Sequence, residues 1–389
     1  LDDGTTTRDA FRVVDELDAL GAQLTTRNSL DLSFVRLQAL PANLAPSLQL
    51  MADVVLNPVF PADLVALEKR RQLAQIGQEK ADPRRVALRI LPRLLYGPSH
   101  AYANPFTGSG EASTVESITR DDLLRWHRTW FTPNGSTLIV TGDVTMAQLE
   151  PALATAFGGW ARGAAPKKSI GAVTRSAGGK VYLIDQPDAP QSIIIAAHVT
   201  ERGGLPQDLA METVLRNFGG MSTSRLNRNL RLDKHWSYGT QAAMPASRGP
   251  RPFYVVAPVQ SDKTKEAIVE VAKELRGVAG ERPLAGEEFQ SIMRNQTLGL
   301  PGRFDTLDAL ERAAIDIVSL GYPDDYYANY AKNVRALDEK ALADAARVFI
   351  RPDEIVWLVV GDLEKVEAGI RELKLGEVIR LDASGKSTN

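Results

Sequence analysis

A displacement of 219 residues lays part of this chain over itself, and that self-similarity limits the fold more than any other feature of the sequence. Ile118–Val144 falls on Leu337–Leu363 without a gap. Leu123, Arg128, Pro133, Val140, Gly142 and Asp143 meet Leu342, Arg347, Pro352, Val359, Gly361 and Asp362, and Trp130 meets Phe349. The same displacement sets Phe34 on Phe253. A fixed offset is the sequence signature of duplication. Each copied stretch reads as a helix leading into a strand that ends in Gly-Asp, so the expected fold class is α+β. Two duplicated halves each form a mixed or antiparallel sheet with helices on one face.

The pattern between these anchors gives the expected elements. Thr5-Thr6-Thr7 offers N-cap chemistry for a first helix whose Phe11, Val13, Val14, Leu17 and Leu20 share a face and which stops at Gly21. Strand character follows over 23–40 around an Asn28-Ser29 turn, with Leu30, Leu32 and Phe34 alternating. Helices are expected at about 43–56, 62–80 and 119–131, and a strand over Ser136–Thr141. After a Gly/Lys-rich stretch the pattern restarts: strands at 180–185 and 191–198, a helix at 207–217, a break at Gly219-Gly220 and a second helix at about 222–232. Strands at 237–245 and 252–259, helices at 263–278, 285–298, 305–319 and 338–349, and the strand Ile355–Val360 complete it. The domain reading is a first half over 1–161, a linker over 162–179, a second half over 180–382 and a frayed tail over 383–389.

Composition removes several chemistries. The chain has 389 residues with 46 Lys+Arg, 48 Asp+Glu and no Cys, for a formal net charge of −2. Neither nucleic acid nor an anionic membrane is an expected partner, because both need a clustered excess of cations. Without Cys there is no disulfide framework, thiol nucleophile or Cys-ligated metal. No apolar run reaches the roughly 20 residues that span a bilayer. The absence of Cys also fits an exported, periplasmic protein.

Hydrolytic zinc needs two imidazoles on one helical face beside a carboxylate. His100, His127, His198 and His235 are never closer than 27 positions, so none forms such a pair and each reads as a lone histidine. Gly220-Met-Ser222-Thr-Ser lacks the second Gly of a serine-nucleophile elbow. Gly108-Ser-Gly110-Glu-Ala-Ser113 lacks the third Gly of a phosphate cradle. Glu68-Lys-Arg-Arg71 is a charge run on a solvated helix face.

One segment differs. From Leu215 to Gly239 a helix meets paired glycines, a short helix carries Arg231 near its end, and a turn follows at Tyr238. Arg supplies a fork of donors and Tyr a single O–H, which together can hold a carbonyl or a developing oxyanion. The same residues also suit a plainer role, Arg231 at a helix C-terminus and Tyr238 packed in a sheet.

Phe218-Gly-Gly, Ser224-Arg-Leu, Leu230-Arg231 and Tyr238 closely resemble the second-half signature of the pitrilysin/insulinase family of metallopeptidases, in its small bacterial, processing-peptidase-like branch. Gly4-Thr-Thr-Thr-Arg8, Asp15-Glu-Leu and Leu20-Gly-Ala-Gln-Leu24 resemble the text that follows that family's zinc helix, and Tyr102, Pro105, Gly108 and Ile118-Thr its later first-half pattern. The resemblance implies a first-half His-x-x-Glu-His motif, a third Glu ligand about 75 residues later, and an Arg/Tyr pair that binds the scissile carbonyl. Arg231 and Tyr238 match the pair. The zinc motif would precede Leu1, and the third ligand's expected place, Gln75-Ile76-Gly77, holds no carboxylate, with Glu79 off register. No metal ligand is therefore expected in this chain.

The resemblance then implies the subunit lacking the zinc motif in a heterodimeric zinc endopeptidase. Zinc sits in a homologous partner subunit, and peptide is the substrate. Residues Gly219–Ser224 shape the groove without being catalytic. Two other readings stay open: an inert assembly subunit of the same family, and a complete zinc peptidase whose zinc helix lies before residue 1.

Overall fold

The computed structural model describes residues 1–174, 178–201 and 205–388; residues 175–177 of the expected linker and Asn389 of the expected tail lie outside them. Along the chain run α1 (Ala10–Leu20), β1 (Gln23–Asn28), β2 (Ser33–Gln38), α2 (Leu44–Leu56), α3 (Ala62–Ala81), α4 (Pro83–Tyr96), α5 (Ala112–Ser117), α6 (Arg120–Trp130) and α7 (Met146–Phe157). The second half contributes β3 (Lys180–Asp185), β4 (Gln191–Thr200), α8 (Leu205–Leu215), α9 (Arg225–Asn227), β5 (Gln241–Ala243), β6 (Arg251–Gln260), α10 (Thr264–Ala279) and α11 (Gly286–Leu298). It continues with α12 (Leu307–Leu320), α13 (Tyr330–Arg335), α14 (Glu339–Phe349), β7 (Val356–Gly361), α15 (Leu363–Glu372) and β8 (Glu377–Leu381). The 219-residue displacement carries α2, α3, α6 and α7 onto α10, α11, α14 and α15, and β2 onto β6, so the expected duplication is visible element by element. Even a packing pair repeats: α2 lies on α7 as α10 lies on α15.

The chain divides into two compact units, and each half lends the other a helix. The N-terminal unit comprises residues 1–76, 108–169 and 305–319, and so takes α12 from the second half. The C-terminal unit comprises 77–107, 170–304 and 320–389, and so takes α4 from the first.

The C-terminal unit is built on a six-stranded mixed sheet in the order β5-β6-β4-β7-β3-β8. β5, β6, β4 and β7 pair antiparallel, and β7-β3-β8 pair parallel. β4 and β7 are central and read as near-continuous apolar runs because both of their faces are covered. On one face Leu183, Ile194, Ala196, Val255 and Val359 meet Met211 and Val214 of α8, Val271 of α10 and Leu342 of α14. On the other, Ile193, Ile195, Val356, Leu358 and Val360 meet Val86, Ile90 and Leu91 of α4.

The N-terminal unit carries a two-stranded sheet, β1 antiparallel to β2 from Gln23↔Gln38 to Asn28↔Ser33, beside the largely buried α2. The strand expected over Ser136–Thr141 is not formed, although Leu138 and Val140 alternate as a strand would. Its counterpart β7 is held on either side by β3 and β4. Neither neighbour has a counterpart among the described residues of the first half. The cap of α1 also differs from expectation. Asp9 accepts the N–H of Arg12, while the hydroxyls of Thr5 and Thr7 donate to Asp53 at 2.6 and 2.8 Å. The inward face of α1 is Val13, Leu17 and Leu20, whereas Phe11 and Val14 are exposed. The tail, expected to fray, folds back: the Asp382 carboxylate accepts the N–H groups of Ser384 and Lys386, and Thr388 N–H reaches Arg380 O.

His198 lies on β4, buried against Phe253, with its Nδ1 3.2 Å from Val199 O and Arg351 N–H on its Nε2 at 3.3 Å. Burial holds its imidazole down at about 4, aided by the charge of Arg351 and opposed by the hydrogen bond to Val199 and the charge of Glu354. The unfolded chain, with an ordinary His near 6.5, therefore binds the proton that the folded chain refuses. Stability from this group is full above pH 6.5 and falls as the pH drops toward 4, by about 2 kcal/mol between pH 7 and 5. Urea midpoints across that range should show the loss, and His198→Gln should flatten that part of the profile.

Candidate functional site

The segment that stood out in the sequence is a closely tied connection on the C-terminal unit. α8 does not stop at the paired glycines; it widens into a π-turn over Arg216–Gly220 that leaves Phe218 fully buried. A Cβ on Gly219 would lie 2.4 Å from the backbone N of Ala242 and 2.5 Å from its Cβ. This close approach of the π-turn to β5 is why glycine stands there. Gly219→Ala is expected to push β5 away and cost about 1–3 kcal/mol. At Gly220 the nearest obstacle is Leu215 O at 3.1 Å, so Gly220→Ala should cost less; thermal unfolding of the two variants gives the order.

The expected helix at 222–232 is a single α turn, α9, that widens into a second π segment over Arg228–Asp233. Asn227, buried at its centre, organises the connection. Its Nδ2 donates to Met221 O at 2.8 Å and Thr240 O at 3.0 Å, while its Oδ1 accepts Thr240 N–H at 2.7 Å. Both backbone polar groups of Thr240 are thus used by a side chain. That is why the strand expected from 237 begins only at Gln241. Arg225 is buried as well. Its guanidinium meets Glu288 at 2.5 Å and the carbonyl oxygens of Arg282 and Pro283 at 2.5 and 3.0 Å, which commits the fork to holding α9 against α11.

Arg231 and Tyr238 sit at the two ends of the turn that follows. Leu230 O accepts the N–H groups of Trp236 and Ser237, and His235, in the left-handed region at φ 58°, places its Nδ1 3.1 Å from Arg231 O. Ser237 Oγ accepts Gly239 N–H at 3.1 Å, bracketing Tyr238. Tyr238 is 88% exposed, and Arg231 is exposed too. Among the described residues neither the guanidinium nor the phenol has a hydrogen-bond partner, and no hydrogen bond joins the two. Tyr238 does not pack in the sheet, so the plainer role considered for it is not the one it plays. Sequence reasoning missed Asn227 and Arg225, whose only trace was their place inside the motif.

The other candidate centres are occupied. Glu79, the carboxylate nearest the third-ligand position, is 2% exposed and meets Arg89 Nη1 at 2.7 Å. His127 is buried with Nε2 on Val55 O at 2.7 Å, and His100 Nε2 lies 2.9 Å from Gly171 O. The described residues contain no group of three or more His, Cys, Asp or Glu able to hold a metal. They do not fit a zinc site.

The chain is similar to known proteins both in sequence and in fold. The family model of the peptidase M16 inactive domain matches residues 117–295, which include α9, Arg231 and Tyr238. An uncharacterized zinc protease of Mycobacterium leprae is 25% identical over 281 residues, 71% of this chain and 62% of that protein, so the chain spans under two thirds of this relative's length. The crystal structure of a peptidase M16 inactive domain from Pseudomonas fluorescens superposes with a TM-score of 0.85 at 20% identity, covering 92% of this chain and 85% of that one. The periplasmic protease PqqL of Escherichia coli shares the fold at a TM-score of 0.75 and 12% identity, over 92% of this chain and 39% of its own. The chain is thus similar in sequence to zinc proteases and shares the fold of a peptidase M16 inactive domain, in line with the resemblance read in its residues, and the part that carries Arg231 and Tyr238 matches the model of that inactive domain. No helix among the described residues is long and apolar enough to cross a membrane.

Proposed function

We propose that the chain is the metal-free subunit of a heterodimeric zinc endopeptidase and that Arg231 and Tyr238 are its contribution to peptide hydrolysis. The observation that carries this reading is a pair of strong donors left exposed, with no hydrogen-bond partner among the described residues, on a turn held by backbone hydrogen bonds to Leu230 O and by Asn227. A structural Arg in the same segment looks like Arg225, buried and with its fork spent; Arg231 is its opposite.

In this reading the homologous partner holds the zinc, which supplies Lewis-acid chemistry and an activated water there. This chain binds and orients the peptide. The Arg231 fork and the Tyr238 hydroxyl donate to the scissile carbonyl oxygen, and their hydrogen bonds strengthen as that oxygen gains negative charge. The likeness to PqqL and the absence of Cys favour a periplasmic location.

The test is assembly. Co-expression with a homologous chain that has a complete His-x-x-Glu-His motif should give a complex with one zinc and peptidase activity that neither subunit has alone. Stoichiometric zinc in this chain, purified by itself at its full natural length, overturns the proposal. So does a partner that cleaves equally well without it.

A further inference from the structure

The turn between Arg231 and Tyr238 carries a strain that its closure does not require. His235 holds φ at 58°, in the left-handed region that glycine enters freely and a residue with a Cβ enters against steric resistance. The residues around it are anchored without its ring. Lys234 N–H reaches Asn229 O at 3.2 Å, and the Lys234 ammonium lies 3.7 Å from Glu270 and over the Trp236 ring. Trp236 packs against the main core of the C-terminal unit, donates its N–H to Leu230 O at 2.9 Å and accepts Gln260 N–H at 3.0 Å. Ser237 is buried and donates its own N–H to Leu230 O. A glycine at position 235 would therefore close the same turn with less strain.

What the ring adds is one hydrogen bond. Its Nδ1 lies 3.1 Å from Arg231 O, and because a carbonyl oxygen only accepts, Nδ1 carries the proton. The two preceding carbonyls, Asn229 O and Leu230 O, take backbone N–H groups of the turn, whereas Arg231 O takes the imidazole. A helix end leaves its last carbonyls without intrahelical partners, and a histidine side chain can cap one of them. The bond fixes the peptide plane that follows the Arg231 Cα, and with it the direction in which the Arg231 side chain leaves the turn.

We propose that His235 is a positioning residue for Arg231 and Tyr238: through Arg231 O it sets where the guanidinium stands relative to the phenol. Among the described residues no hydrogen bond joins those two groups, so their relative placement depends on the turn between them. Two donors serve one oxygen only while their separation is kept, and a displacement of about 1 Å can cost about 100-fold in rate. The inference rests on the reading of Arg231 and Tyr238 as donors to the scissile carbonyl.

Two variants of His235 in the assembled heterodimer test it, with Tyr238→Phe in the same assay as the measure of that reading. His235→Gly keeps the turn and deletes the ring. It should lower kcat by about 10-fold or more with little change in KM, while its melting temperature stays at or above the parent's because the strain leaves with the side chain. His235→Asn puts an amide N–H where the ring has Nδ1–H and tolerates the left-handed region, so it should recover most of the lost activity. In the isolated chain, ring nitrogen NMR shifts at about pH 8 should show His235 as the Nδ1-protonated tautomer. Full activity of His235→Gly beside an impaired Tyr238→Phe overturns the inference alone. So does a His235→Asn no better than His235→Gly, a His235→Gly melting temperature well below the parent's, or a neutral ring protonated on Nε2. Full activity of Tyr238→Phe overturns the reading and this inference with it.

Discussion

If the proposed heterodimer uses Tyr238 as an oxyanion donor, replacing Tyr238 by Phe in it should lower kcat by about 10²–10³-fold, the usual loss when one donor to a developing oxyanion is removed. The substitution deletes a single oxygen. Because Tyr238 is 88% exposed, stability should change by less than about 0.5 kcal/mol, so lost activity cannot come from unfolding. KM should move little, since the bond strengthens chiefly as charge develops on the carbonyl oxygen. Arg231→Lys keeps the charge and removes the planar fork, so it should fall between Arg231→Ala and the parent. A phenol in bulk water gains little by binding a carbonyl, so an effect of this size also requires partner and substrate to exclude water around Tyr238. Steady-state kinetics on a quenched peptide, with urea midpoints for each variant, separate the outcomes. Cleavage unchanged in Tyr238→Phe removes the mechanistic role and leaves an assembly subunit.

Much of this molecule was legible in its sequence wherever one face of an element settles its fate. α2, α3, α6 and α14 follow from apolar spacing, and β7 from a run of Val, Trp and Leu that only a doubly covered strand can bury. The duplication was readable because helix and strand recur at a fixed distance. The elements that escaped depend on tertiary partners. Thr5 and Thr7 look like caps, but Asp53, far away in sequence, takes their hydroxyls. Ser136–Thr141 has a strand's composition and lacks a strand's neighbours. Paired glycines read as a helix stop, whereas here Gly219 lets a π-turn press against Ala242.

The exchange of α4 and α12 was hidden for a related reason. An amphipathic pattern states that a helix has an apolar face, not which sheet receives it. At the site, the resemblance to the family's second-half signature, including its seven-residue spacing, pointed to Arg231 and Tyr238, which residue types alone left open. The framework that presents them is held by Asn227, and a buried Asn has no periodic signature. Its five heteroatom contacts emerge only once Met221, Ser224 and Thr240 converge on it.

The second large effect is expected at the Glu79–Arg89 pair, between α3 and α4. Both side chains are almost fully removed from water, at 2% and 4% exposure, with 2.7 Å between Oε2 and Nη1. Removing one partner of such a pair takes the opposite charge from a buried group and costs about 3–5 kcal/mol, a large share of the roughly 5–15 kcal/mol that holds a domain together. Arg89→Ala should therefore lower the urea midpoint sharply, and Glu79→Gln should do so too. Replacing both, as Glu79→Gln with Arg89→Met, removes the charges together and should recover much of the loss, since a matched apolar or neutral pair avoids the desolvation that the ion pair must offset. The pair also bears on function through α4, which closes one face of the sheet whose unit carries Arg231 and Tyr238. Activity of Arg89→Ala should consequently fall with the folded fraction and return at low temperature, whereas Tyr238→Phe should stay impaired at every temperature where the protein is folded. A double-mutant cycle with no coupling between positions 79 and 89 would show that the two charges are satisfied independently, and would remove the pair as the clamp between α3 and α4.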